Sequence, residues 1–142
     1  MQRIMTKWEK VRVGDKLELI NGSAFKPTDW SETGLPIVRI QNLNNPKASY
    51  NYFNGKKPEK FLLHGGELLF AWSGTPGTSF GAHIWNGGKA WLNQHIYNVI
   101  FNENDFNKKF LQLAINQNLN EYIRAAHGAA GLAHITNRFW RI

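Results

Sequence analysis

The chain has 142 residues, with 17 Lys and Arg against 10 Asp and Glu, and it contains no Cys. This length predicts one domain covering residues 1–142, with no room for a second. The absence of Cys excludes disulfides, thiolate metal sites and Cys nucleophiles. The absence of Cys is also compatible with an intracellular origin, and we expect a cytoplasmic protein. The sequence has no long apolar run, which is typical of a soluble protein without a membrane span.

The excess of seven positive charges favours a polyanionic partner, because Lys and Arg gain affinity from phosphates whatever the base sequence. Asn is the commonest residue, with 16 copies, and Asn and Gln amides can read adenine bidentately. Asn is also an ordinary turn residue, and a merely basic soluble domain remains an alternative on charge alone.

The N-terminal third predicts three elements. Residues 8–13 alternate like a strand or an extended arm. Gly14-Asp15 is a candidate cap for a short helix containing Leu17, Leu19 and Ile20. The β-branched stretch 35–43 predicts a strand that places Arg39 and Gln41 on one face, with Val38 and Ile40 toward the core.

The middle of the chain predicts strands and turns. His64-Gly65-Gly66-Glu67 indicates a tight turn, residues 68–72 a buried strand, and residues 73–78 an irregular loop of the kind that often carries function. Residues 79–92 resemble a hairpin around Asn86-Gly87-Gly88-Lys89, because Asn-Gly supplies the positive φ angles of a tight turn. Residues 97–101 predict a further strand.

Apolar residues recur at helical spacing from Phe106 to Tyr122, which predicts a helix capped by Asn104 or Asp105 and ending near Gly128. The expected fold class is α+β: a mixed, largely antiparallel twisted sheet with a short N-terminal helix and one longer C-terminal helix.

Catalytic patterns are missing from the sequence. The five His show neither HExxH nor the spacing of a zinc pair, so no metal site is expected. The glycines around Gly74 match neither a P-loop nor a nucleophile elbow, and the acids are scattered. We therefore expect a protein that is not an enzyme.

Basic, hydroxyl and amide side chains fall on predicted loops and strand ends, which favours DNA binding. Arg and amide groups suit base edges, whereas Lys, Ser, Thr and backbone N–H groups suit phosphates. For Arg39 a surface salt bridge and for His95 a structural role are alternatives, and the tryptophans are expected mostly in the core. The candidate DNA-binding residues are Lys26, Arg39, Gln41, Asn42, Asn44, Ser73, Gly74, Thr75, Asn93, Gln94 and His95.

The order of several short segments resembles one known family. Trp8, Gly14-Asp15, residues 20–26 and residues 34–43 resemble the opening of a target-recognition domain from the specificity (S) subunit of type I restriction-modification systems. Val13 stands where that family usually has Leu.

Later segments extend the resemblance over nearly the whole chain. Residues 63–74 resemble the family's turn, strand and Ser-Gly loop, Asn93-Gln94-His95 its Asn-Gln-His stretch, and residues 128–136 its closing segment.

The resemblance implies an α+β globule that reads one half of a bipartite double-stranded DNA target and has no catalytic activity of its own. Methyltransferase and restriction subunits would supply the chemistry, and they would bind S-adenosylmethionine and ATP, so no cofactor is expected on this chain. The spacer helix that docks those subunits and the second recognition domain are absent from residues 1–142. We therefore expect a truncated or natural half-subunit, with a homodimer as one way to restore two half-site readers.

A second function class remains open from the residues alone. A carbohydrate- or protein-binding module would use exposed aromatic side chains, for which the candidates are Tyr50, Tyr52, Trp85 and Trp91.

Overall fold

Two four-stranded sheets and two α-helices make up the regular structure in a computed structural model that describes residues 16–45, 47–72, 80–117 and 119. The strands are β1 (Leu17–Asn21), β2 (Leu35–Val38), β3 (Asn51–Phe53), β4 (Leu62–Leu63), β5 (Leu68–Ala71), β6 (Gly81–Ile84), β7 (Ala90–Leu92) and β8 (Ile96–Phe101). The helices are α1 (Ile40–Asn44) and α2 (Lys108–Gln117), and single 3-10 turns cover Pro27–Asp29 and Glu59–Phe61.

The two sheets differ in strand direction. The first sheet has the order β1-β8-β5-β6, and all of its pairs are antiparallel. The second has the order β3-β2-β7-β4 and contains one parallel pair, β2 with β7. The chain passes from one sheet to the other several times, so neither sheet is a separate domain.

Strand β5 lies in the middle of the core, and all four of its residues are buried. Leu68 and Phe70 pack in a cluster with Leu111 of α2, whereas Leu69 packs in a second cluster with Leu92 of the other sheet. Because successive side chains of a strand point to opposite faces, the first sheet lies between α2 and the second sheet. Apolar side chains on both faces of β5 account for its uninterrupted hydrophobic sequence.

The α+β class and the longer C-terminal helix are confirmed, as are the buried strand after Glu67 and the strand near Tyr97. The turn between β4 and β5 is also confirmed: Gly65 and Gly66 have φ of 111° and 92°. The Glu67 carboxylate accepts the N–H groups of His64 and Gly65 at 2.6 and 2.8 Å. Only glycine adopts such backbone angles without strain.

Two element predictions for the N-terminal part are wrong. Residues 17–21 form strand β1 rather than a helix, because Leu17 to Asn21 pair antiparallel with β8. The predicted strand over 35–43 ends at Val38, and α1 follows it directly. Arg39 is the N-cap residue of that helix, so Arg39 and Gln41 do not share a strand face.

Two further corrections concern connections. Strands β6 and β7 do not form a hairpin: β6 pairs with β5 in one sheet and β7 with β2 and β4 in the other. Helix α2 is capped by Asn107, whose Oδ1 accepts the N–H of Phe110 at 2.9 Å, rather than by Asn104 or Asp105. The predictions for residues 8–13, the loop 73–78 and the helix end near Gly128 lie outside the described residues.

Candidate nucleic-acid interface

The parallel pairing of β2 with β7 sets the position of two candidate segments. Ile37 pairs with Trp91 and Val38 with Leu92, so both strands end at the same level of the second sheet. The N–H of Asn93 then donates to the carbonyl of Val38 at 3.1 Å. The candidates that follow β2 and those that follow β7 therefore emerge at one end of this sheet.

The end of β1 reaches the same place through backbone hydrogen bonds. The N–H of Ser23 donates to Leu92 at 2.9 Å, and the N–H of Gln94 donates back to Ser23 at 2.8 Å. A Cβ on Gly22 would lie 1.9 Å from the carbonyl oxygen of Asn93. The two segments thus approach so closely that only glycine fits at position 22.

His95 connects this end of the second sheet to Trp72, the residue that follows β5 and precedes Ser73-Gly74. Its N–H donates to Asn21 Oδ1 at 3.2 Å, and its carbonyl accepts the N–H of Trp72 at 3.3 Å. The rings of Trp72 and His95 lie edge to face with centroids 4.9 Å apart. Ser73, Gly74 and Thr75, which follow Trp72 in the sequence, lie outside the described residues.

Four segments distant in sequence therefore meet at the end of the second sheet. We call this surface the convergent end; it consists of residues 21–23, residues 39–41, residues 43–44, Trp72 and residues 93–95.

The candidates at the convergent end differ in exposure. Gln41 and Asn44 on α1 are exposed, as are Gln94 and His95, whereas Asn93 is half-buried. His95 has a φ of 74°, in the left-handed region that few non-glycine residues adopt. The exposed amide and imidazole groups come from two connections that the backbone hydrogen bond from Asn93 to Val38 joins at their start.

Asn42 has a structural position rather than an exposed one. It is 0 % exposed, its Oδ1 accepts the N–H of Arg39 at 3.0 Å, and its Nδ2 donates to the carbonyls of Ser49 at 3.2 Å and Ala48 at 3.4 Å. Its amide caps α1 and holds the loop that follows it. A side chain so committed is not available to a base, and we leave Asn42 out of the interface.

Arg39 is half-buried, and its guanidinium already makes one hydrogen bond. Its Nη2 donates to the carbonyl of Ser49 at 3.1 Å, while its Nε is buried without a hydrogen-bond partner among the described residues. The guanidinium is therefore held in place at the start of α1, with donors left over for a ligand.

Lys26 lies elsewhere on the second sheet. The ring of Phe25, the residue before it, packs edge to face on Phe53 at 5.2 Å, and Phe53 pairs with Leu35, the first residue of β2. The exposed Lys26 thus follows a residue packed near the opposite end of β2 from Arg39. Its backbone N–H donates to Asp29 Oδ2 at 2.7 Å.

Aromatic residues proposed for the second function class do not form an exposed surface. Trp85 and Trp91 are 7 % and 5 % exposed, and Tyr50 packs edge to face against Trp85. Tyr52 is the exposed member of the set, at 37 %. Trp30, by contrast, is 46 % exposed although the tryptophans were expected mostly in the core.

Two tyrosines, Tyr97 and Tyr50, have raised pKa values. Burial raises the pKa of Tyr97, whose ring lies 5.9 Å from that of Trp72. Burial, and to a lesser degree the nearby Tyr52, raises the pKa of Tyr50. Both hydroxyls therefore stay neutral at physiological pH.

The described residues contain no group of three or more His, Asp or Glu that could hold a metal ion. Neither helix in that part of the chain is long and apolar enough to cross a membrane.

Sequence reasoning did not include three lysines that the fold brings to one pocket, namely Lys56, Lys57 and Lys89. The Lys56-Lys57 pair was visible in the sequence, but its proximity to Lys89 depends on strand pairing between β4 and β7.

Comparisons with known proteins point to one family. The family model described as type I restriction modification DNA specificity domain matches residues 5–138. The type I restriction enzyme EcoBI specificity subunit of Escherichia coli is 26 % identical over 137 residues, which cover 95 % of this chain and 28 % of that protein.

The crystal structure of an HsdS subunit from Thermoanaerobacter tengcongensis has a similar fold, with a TM-score of 0.61 at 13 % identity. The similarity covers 92 % of this chain and 32 % of that one. The chain thus spans about a third or less of the length of each of these relatives.

Proposed function

The chain belongs to the type I restriction-modification DNA specificity domain family, and on this premise we propose that it recognises one half of a bipartite DNA target through the convergent end. The observation that carries the assignment of the site is the in-register parallel pairing of β2 with β7, which puts the residues after both strands on one surface.

Within this proposal the exposed amides and the held guanidinium read base edges. Arg39 suits guanine, and Gln41, Asn44 and Gln94 suit adenine, because these groups form bidentate pairs in the major groove. Asn93 and His95 hold the convergent end in position and contact the DNA backbone. Lys26 and the segment Ser73-Gly74-Thr75 supply phosphate contacts, which carry affinity without sequence information.

The proposal assigns targeting, and no chemistry, to this chain. Methyltransferase and restriction subunits would act at the site it selects, in the cytoplasm, and would bind S-adenosylmethionine and ATP themselves. Two copies of the chain would read the two halves of a bipartite target, which sedimentation with a duplex carrying two half-sites would detect.

Selection from a pool of duplexes with a randomised central segment tests the function directly. The 142-residue chain is expected to enrich a short motif of a few base pairs, and to bind it more tightly than a scrambled duplex at the same salt concentration. Binding that enriches no sequence would overturn the proposal.

A matched pair of variants tests the location. Gln94→Ala removes an exposed amide at the convergent end and is expected to cost about 1–3 kcal/mol of discrimination at one base pair. Gln117→Ala removes an exposed amide at the end of α2 and should leave the enriched motif unchanged. If Gln94→Ala enriches the same motif as Gln117→Ala, the bases are not read by Gln94 at the convergent end.

A further inference from the structure

A lysine-lined pocket opens beside the start of β2, away from the convergent end. It has a volume of about 420 Å³, and its lining includes Lys56, Lys57, Lys89, Glu59, Phe53 and Trp91. We propose that this lysine pocket binds a phosphate group of the DNA backbone next to the half-site, an inference that rests on the proposed function.

Two separate connections supply the lysines. Lys56 and Lys57 lie between β3 and β4, and Lys89 lies immediately before β7. Strands β4 and β7 pair antiparallel, with Leu63 opposite Ala90, which brings the two connections together. The pocket is therefore a product of the sheet and not of a run of adjacent charges.

Lys57 is held in place by its surroundings. Its Nζ donates to the carbonyl of Ala24 at 2.9 Å and lies 4.5 Å from the ring centroid of Phe25. An aromatic face attracts an ammonium group electrostatically. Since an ammonium has three N–H donors and the Ala24 bond uses one, Lys57 retains donors for an anion.

The charge and shape of the pocket favour a phosphodiester. The lining contains three lysines and one carboxylate, that of Glu59, so it has a net positive charge. The rings of Phe53 and Trp91 pack edge to face at 6.1 Å and give the wall an apolar part, against which a sugar can pack. A phosphate with its deoxyribose matches both parts of this lining.

A duplex that bound both the lysine pocket and the convergent end would have to span the length of β2. Strand β2, which separates them, has four residues and so a length of about 13 Å at ~3.3 Å per residue. That length equals about four base-pair steps of DNA. Phosphate binding in the pocket would fix the register of the duplex while the convergent end reads the bases.

The test is the salt dependence of DNA binding by the full chain. The double variant Lys56→Gln/Lys89→Gln leaves the structural contacts of Lys57 intact. It is expected to weaken binding to the preferred and the scrambled duplex by the same factor. The slope of log Kd against log salt concentration should fall by about 1, since the loss of one phosphate contact changes it by ~0.9.

A control of equal charge change is Lys16→Gln/Lys109→Gln, in which both lysines are exposed and outside the pocket lining. It should keep a slope close to that of the wild-type chain. The variant Lys56→Arg/Lys89→Arg keeps the charges and should restore the wild-type slope, which separates loss of charge from damage to the fold.

The outcomes separate the two proposals. If the wild-type chain prefers a sequence but the pocket and control variants have the same slope, the pocket inference is overturned and the proposed function stands. If the wild-type chain shows no sequence preference, the proposed function is overturned, and the inference that rests on it is overturned too.

Discussion

The backbone N–H of Asn93 donates a hydrogen bond of 3.1 Å to the carbonyl of Val38, and this bond joins the ends of two parallel strands. Residues on either side of it, Arg39 and Gln94, belong to connections far apart in the sequence. Their proximity is the physical basis of the convergent end, and changes that separate these connections should disturb it first.

Gly22 is the residue whose replacement should separate them most directly. In Gly22→Ala the new Cβ would lie 1.9 Å from the Asn93 carbonyl oxygen, so backbone must move. Backbone overpacking of this kind is expected to cost about 3 kcal/mol or more of unfolding free energy. Urea denaturation followed by circular dichroism measures the loss.

Gly88→Ala is the matched control, because no atom of the described residues, apart from its two chain neighbours, lies within 4 Å of its new Cβ. Its unfolding free energy should stay within about 0.5 kcal/mol of the wild-type value. Equal stability of the two variants would show that the segments around Gly22 and Asn93 are not packed as described.

Asn42 should affect stability more than exposed asparagines do. Asn42→Ala removes the acceptor for the Arg39 N–H and the donor to Ser49 within a fully buried site. Leaving these backbone groups unpaired is expected to cost about 2–4 kcal/mol. The same denaturation measurement on Asn44→Ala, at the exposed end of α1, should show a change of about 0.5 kcal/mol or less.

Several elements were predictable because their signals are local. The apolar run of β5 and the two glycines before Glu67 mark a buried strand and a tight turn whatever the rest of the fold does. The helical spacing of Leu111 and Ile115 likewise reflects one packed face of α2.

Other elements depend on partners that the local sequence does not reveal. Leu17 to Asn21 become a strand because β8, which begins at Ile96, lies beside them. The Asn86-Gly87 turn joins strands of different sheets rather than a hairpin, and Trp85 Nε1 donates to the Gly88 carbonyl within it, at 2.9 Å. The local sequence contains no signal for the pairing of β1 with β8 or for the placement of β6 and β7 in different sheets.

The candidate site shows the same division. Amide and basic residue types at strand ends make Gln94 and Arg39 candidates without structural information, and their role in binding stays a prediction. The burial of Asn42 and the grouping of Lys56 with Lys89 follow from tertiary packing alone. Residue type therefore predicts which chemistry is available, and topology decides which groups share a surface.

Alkaline pH should destabilise the fold through its half-buried tyrosines. Burial raises the pKa of Tyr97 above its ordinary value of 10.0, so ionisation is harder in the folded than in the unfolded chain. The unfolding free energy is therefore fully retained below about pH 10 and falls as the pH rises through the folded-state pKa. Urea denaturation at a series of pH values should show a shallower alkaline decline in Tyr97→Phe than in the wild-type chain; parallel declines would contradict this account.

Arg39 offers a test of readout by geometry rather than by charge. Arg39→Lys keeps the positive charge but loses the planar fork that pairs bidentately with guanine. We expect affinity for scrambled duplexes to change little, while the ratio of Kd values for scrambled and preferred duplexes falls by about tenfold, equivalent to ~1.4 kcal/mol. Fluorescence anisotropy titrations at fixed salt measure both quantities. Arg39→Ala should lose the same preference and, because the bond to the Ser49 carbonyl is also lost, about 1 kcal/mol of stability. A lysine variant that keeps the wild-type ratio would show that Arg39 contributes only charge, and readout would then rest on the amides of α1 and of the β7–β8 connection.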